Sequence, residues 1–110
     1  MLTMKNNSLL LKQLEDLLHQ HISDPDFGIT DFCKQLDISR TQLHRIISKE
    51  TGLSTSLYIR QLRLEQAKKL LTTTDLLVYE VAEKVGFRNV AYFSTSFLET
   101  FGFSPKDAKC

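Results

Sequence analysis

Apolar residues recur every three or four positions along nearly the whole chain, a period close to 3.6 that predicts helices throughout. Leu10, Leu11, Leu14, Leu17, Leu18 and Ile22 mark a first helix from about Ser8 to Ile22, stopped before Pro25. Ile29 to Leu36 follows as a short helix with Phe32, Cys33 and Leu36 inward. Asp37-Ile38 then makes a tight connection to a third helix that Ser39 caps and Gly52 ends. Ser54 or Thr55 opens a longer helix to about Thr72, with Leu57, Leu62, Leu64, Ala67, Leu70 and Leu71 as core, and Thr72-Thr73-Thr74-Asp75 breaks it. Val78 to Val85 is helical, Gly86-Phe87-Arg88 turns the chain, and Asn89 caps a helix to Gly102 with Phe93, Phe97 and Phe101 inward. Ser104-Pro105 starts a last short turn of helix. The expected fold is therefore all-α, about seven helices, with no convincing strand.

The chain repeats itself at a shift of 50. Leu43 matches Phe93, Ile47 matches Phe97, Gly52 matches Gly102, Leu53 matches Phe103 and Ser54 matches Ser104. The preceding short helices match at a shift of 49, Cys33 with Ala82 and Leu36 with Val85, so the second turn holds one more residue. Each copy places a small residue in a short helix, a hydrophobic turn residue (Ile38, Phe87), then a capped second helix. That order is a helix-turn-helix: the small residue lets two helices cross closely and the second is free to enter a major groove. The predicted division is a single DNA-binding domain over 1–110, with subdomain 1 at about 8–53, a linker helix at about 55–72 and subdomain 2 at about 76–110.

The buried side of the third helix, Leu43, Ile46 and Ile47, leaves Thr41, His44, Arg45 and Ser48 together on the opposite side. Arg45 suits bidentate pairing with guanine, His44 donation to a purine acceptor, and Thr41 a base edge or thymine methyl. Arg40 and Lys49 flank this face and suit phosphates, as do the backbone amides beside Ser39. In the second copy the same face is Ala91, Ser94, Thr95 and Leu98, without a basic residue. Arg88, Asn89 and the Tyr92 hydroxyl remain there for backbone contacts.

Net charge is only +1, which alone speaks against a strong phosphate binder, but its distribution changes the picture. Residues 1–37 carry net −3, residues 38–69 net +5, residues 70–101 net −2 and the tail +1. A solvated charged surface would give the same count, so charge supports the repeat argument without replacing it. Cys33 and Cys110 form neither a disulfide framework nor a zinc spacing, and read as a buried small residue and a terminal free thiol. His19 and His21, two apart, fall on different helical faces and are expected to be solvated or near the helix end. With no Gly-rich phosphate loop, metal-ligand cluster or nucleophile-base pair, an enzyme is the poorest reading and no cofactor is expected. No apolar run of 18 residues and no secretory leader is present, so a cytoplasmic location is expected. A protein-interaction module that kept the fold but binds DNA weakly is the main competitor.

Over positions 23–107 the chain resembles the AraC/XylS transcription regulators of bacteria. The resemblance is carried by Asp31-Phe32-Cys33, Ile38-Ser39 with Leu43-His44-Arg45, and Tyr58-Ile59-Arg60-Gln61-Leu62-Arg63-Leu64-Glu65-Gln66-Ala67 through Leu70-Leu71. It continues in Val81-Ala82-Glu83-Lys84-Val85-Gly86-Phe87, Tyr92-Phe93-Ser94, Phe97 and Gly102-Phe103-Ser104-Pro105. It implies seven helices in two helix-turn-helix subdomains tied by the fourth helix, successive major grooves as target, and contact with RNA polymerase in an activator. Family base contacts carry over to Thr41, His44 and Arg45 in the first subdomain and to Val90, Ala91, Ser94 and Thr95 in the second. Thr95 stands where many relatives have arginine, Leu98-Glu99 where a basic pair is common, and the Tyr-Arg often found after Ser-Pro is missing. These departures imply a weaker second reader and a short final helix. Most such regulators carry a separate sensing or dimerisation domain that does not fit in these residues, so the chain is either a small stand-alone regulator or the C-terminal piece of a longer protein. Alone it is expected to be a monomer, with any dimer formed through a domain outside these residues.

Overall fold

The computed structural model describes the backbone of residues 2–109 and the side chains of residues 9–109. Among the described residues every regular element is a helix, in the order α1 (Leu2–Gln20), α2 (Ile29–Leu36), α3 (Arg40–Thr51), α4 (Thr55–Thr73), α5 (Val78–Lys84), α6 (Val90–Phe101) and α7 (Pro105–Ala108). The expected boundaries are met within a residue or two except at α1, which begins at Leu2 and ends at Gln20. Two units emerge: unit 1 holds Met1–His21 and Phe27–Arg60, and unit 2 holds Ile22–Asp26 and Gln61–Cys110. The linker helix is thus shared between the units, and a five-residue segment after α1 joins the second.

In unit 1, spacing of three and four residues puts Leu14 and Leu18 of α1, Phe32 of α2, Leu43 and Ile47 of α3, and Tyr58 and Ile59 of α4 into one core. Phe27 meets Phe32 edge to face at 5.1 Å. The rim is polar: the Tyr58 hydroxyl donates to Glu15 Oε2 at 3.3 Å, and exposed His21 stacks on Phe27 at 4.2 Å. Leu57, expected in the core, is 44% exposed, because Tyr58 and Ile59 occupy the inward positions of that turn. Cys33 is half-buried rather than buried, Phe32 filling the inner position beside it. Cys110 lies outside the described residues.

Unit 2 is built on Leu64, Ala67 and Leu71 of α4, Val81, Ala82 and Val85 around α5, and Phe93 and Phe97 of α6. Fully buried Ala82 gives α5 and α6 the close crossing that the sequence anticipated. An aromatic ladder extends this core, Phe97 contacting Phe101 at 4.7 Å and Phe103 at 5.8 Å. Phe101 is half-buried at its edge, where Lys68 Nζ lies 4.9 Å above the ring. At the end of α4 the hydroxyls of Thr72, Thr73 and Thr74 donate back to the carbonyls of Lys68, Lys69 and Leu70, which supplies partners for the last turn. Ser104 caps α7 through Asp107 N at 3.2 Å, Pro105 is buried, and Lys109 Nζ donates to the Leu76 carbonyl.

Candidate nucleic-acid interface

Two features of α3 hold its outer face in place. At the start, Ser39 Oγ accepts from Gln42 N at 3.1 Å while Gln42 Oε1 accepts from Ser39 N at 3.1 Å, a reciprocal capping box. The Ser39 side chain is therefore committed to its own helix, and the first-turn amides are the groups left for an anion. Along the helix, Leu43 and Ile47 are fully buried, which fixes the rotation of α3 about its axis. Ile46, read as inward, is half-buried at the margin of that side. Arg40, Thr41, His44, Arg45, Ser48 and Lys49 are then all exposed and together line one open concavity.

These six are the residues that periodicity assigned to the face and its flanks. Arg40, Arg45 and Lys49 are cationic, and no carboxylate lines the concavity, so its charge is of one sign. Two of the six are also positioned from outside α3. Arg40 Nη2 donates to Thr30 Oγ1 of α2 at 2.8 Å, and His44 Nδ1 lies 3.4 Å from Thr55 Oγ1 at the start of α4.

In unit 2 the turn before α6 rests on Gly86 and Arg63. Ile38 N and Phe87 N donate to the carbonyls of Cys33 and Ala82, the same closing bond in both copies. The left-handed residue is Asp37 in the first copy, at φ 54°, and Gly86 in the second, at φ 86°. A side chain fits at Asp37, but a Cβ on Gly86 would fall 1.9 Å from Arg63 Nη1 and 2.6 Å from the Ile22 carbonyl. Arg63 is buried, and its guanidinium donates to the carbonyls of Ile22 at 2.7 Å, Val85 at 2.9 Å and Asp24 at 3.1 Å. Burial pushes the Arg63 pKa down, opposed by the nearby Asp24 carboxylate. It is a structural clamp, and the positive surface counted from the middle of the chain loses one member.

The extra residue of the second turn is Arg88. It is exposed and bonded to Asp26, which with Asp24 raises its pKa. Asn89 Oδ1 accepts from Tyr92 N at 2.9 Å, so this side chain too is spent as a cap. Beyond it Val90, Ala91, Tyr92 and Thr95 are exposed and Ser94 is half-buried. Shifted by 50, the six lining residues of α3 become Val90, Ala91, Ser94, Thr95, Leu98 and Glu99 in α6. The positions are repeated and the positive charge is not.

Sequence reasoning missed Thr30, Thr55, Asp26 and the burial of Arg63. Each depends on a partner brought close only by folding, and no local spacing announces it.

A helix-turn-helix domain family matches residues 32–109. The transcriptional activator NphR of a Rhodococcus species is 37% identical over 95 residues, which make up 86% of this chain and 28% of that protein. The solved C-terminal domain of AraT, a response regulator from Geobacillus stearothermophilus, is 31% identical, with a TM-score of 0.78 over 91% of this chain and 83% of that one. The DNA-binding domain of the global transcriptional factor AdpA, solved in complex with a target DNA, is 27% identical, with a TM-score of 0.77 over 88% of this chain and 86% of that one. Among the curated relatives it matches, the chain spans 28%, 29% and 37% of the length of the first three.

Proposed function

This chain belongs to the AraC/XylS family of helix-turn-helix regulators, and from that premise we propose that it binds double-stranded DNA sequence-specifically to regulate transcription. The observation that carries the reading is the concavity of α3, where hydrogen-bonding and cationic side chains of a helix-turn-helix second helix share one exposed face. Arg45, His44 and Thr41 read base edges, Ser48 extends the same row, and Arg40, Lys49 and the amides beside Ser39 hold phosphates. In unit 2, α6 enters a second major groove. Val90, Ala91, Ser94 and Thr95 meet bases or methyl groups, while Arg88, the amides beside Asn89 and Tyr92 serve the backbone. The relatives favour an activator, for which RNA polymerase is the partner. The chain alone acts as a monomer in the cytoplasm, needs no cofactor and catalyses no reaction.

Arg45→Ala is expected to cost about 1–3 kcal/mol of binding and to relax one base position, whereas Lys49→Ala weakens all sequences alike. Equal losses on specific and random duplexes for both variants would refute the assignment of roles. The near-neutral net charge and the uncharged α6 face favour one alternative, a protein-interaction module with weak DNA affinity. Binding measured at several salt concentrations separates the two, since a duplex binder loses affinity steeply as salt rises.

A further inference from the structure

His44 is exposed in the concavity, but its ring is not held by α3 alone. Nδ1 lies 3.4 Å from the hydroxyl of Thr55, the first residue of α4 and only 5% exposed. A buried hydroxyl that only accepts leaves its own proton without a partner, which costs a hydrogen bond, so donation is the favoured arrangement. Nδ1 of His44, at 3.4 Å, is the partner of that hydroxyl. If Thr55 donates to Nδ1, the ring proton sits on Nε2, the nitrogen on the far side of the ring.

The internal repeat supplies an independent comparison. Thr55 corresponds to Pro105, the first residue of α7, and His44 corresponds to Ser94. Both helix-start positions are buried, so apolar packing alone is met by a proline that has no hydroxyl. The hydroxyl occurs in the copy whose reading helix carries the imidazole. Packing therefore accounts for burial at this position and leaves the hydroxyl to be explained by His44.

We propose that Thr55 is a specificity-determining positioning residue: its hydroxyl, donating to Nδ1, keeps the proton of neutral His44 on Nε2 and makes the ring a hydrogen-bond donor towards DNA. This rests on the DNA-binding reading of α3. A donor at this place favours base edges that present acceptors in the major groove, guanine O6 and N7, adenine N7 or thymine O4, and disfavours the cytosine amino group. Thr55 itself does not touch DNA. It acts by removing the other tautomer, whose bare Nε2 would accept from the amino group and blur the preference.

The test uses the 110-residue chain with labelled imidazole nitrogens in mildly alkaline buffer, beside Thr55→Val, which keeps the shape, and Thr55→Ser, which keeps the hydroxyl. Nitrogen NMR of free wild type is expected to report the Nε2–H tautomer, Thr55→Val a mixture, and Thr55→Ser a return to Nε2–H. In duplex selection Thr55→Val should lose preference at one base position by roughly threefold to tenfold, with the other positions unchanged. A wild-type ring protonated on Nδ1, a tautomer indifferent to Thr55→Val, or an unaltered base preference in that variant would each overturn the proposal. Failure of the wild-type chain to prefer any duplex would instead sink the DNA reading. The free-protein spectra judge the hydroxyl's control of the tautomer separately from it.

Discussion

Arg88 shows how a residue proposed for DNA contact can be engaged elsewhere in the folded chain. It opens the approach to α6, yet its guanidinium is bonded to Asp26, and both side chains are largely exposed. An exposed ion pair contributes little to stability, so on the proposed DNA-binding reading its larger effect is on duplex affinity, with Asp26 competing against phosphate for the same cation. Asp26→Asn is expected to leave the thermal midpoint within a degree or so and to raise duplex affinity roughly twofold on any sequence. A lowered affinity in a titration at moderate salt would mean that Asp26 orients Arg88 rather than occupying it. The α3 face was legible in advance because one helix decides it: once Leu43 and Ile47 face inward, periodicity alone gathers Thr41, His44, Arg45 and Ser48. The partners were not legible. Thr30 lies 10 residues from Arg40, Thr55 lies 11 from His44 and Asp26 lies 62 from Arg88, and such pairs exist only after the chain has folded.

At the scale of elements, glycine at the end of a helix has two meanings here. Gly52 ends α3 at φ 76° with open space where a methyl group would stand, so Gly52→Ala meets only the cost of a left-handed backbone, about 1–2 kcal/mol. Gly86 has the same conformation, and a methyl group there would strike the Arg63 guanidinium and the Ile22 carbonyl. Gly86→Ala must therefore cost clearly more than Gly52→Ala in a denaturant titration, and equal midpoints would contradict the clamp. Arg63→Ala is expected to destabilise unit 2 by about 1–3 kcal/mol, because the buried Val85 carbonyl and the part-buried Ile22 carbonyl lose their donor. Helix starts and stops were readable from Ser39, Gly52, Asn89, Gly102 and Ser104, whose caps all form. Arg63 was not readable as buried. A charged residue on an amphipathic helix reads as surface unless the carbonyls that receive it are known, and these come from the segment 22–26 and from the end of α5.

For the whole molecule, the repeat conveyed more than composition did. A shift of 50 in the sequence became two similar helix-turn-helix units, while a net charge of +1 gave no hint that the outer face of α3 carries basic residues and its counterpart on α6 carries none. The boundary between units falls inside α4, one continuous helix whose buried side chains change from Tyr58 and Ile59 to Leu64, Ala67 and Leu71 along its length. The asymmetry predicts a division of labour: substitutions on α3 alter which sequence is bound, and substitutions on α6 alter mainly how tightly. Selection of duplexes from a random pool by the 110-residue chain tests this most directly. The predicted outcome is an enriched site with one sharply defined half, blurred by Arg45→Ala, and one loosely defined half. A pool that stays random, or two halves of equal sharpness unaffected by Arg45→Ala, would contradict it.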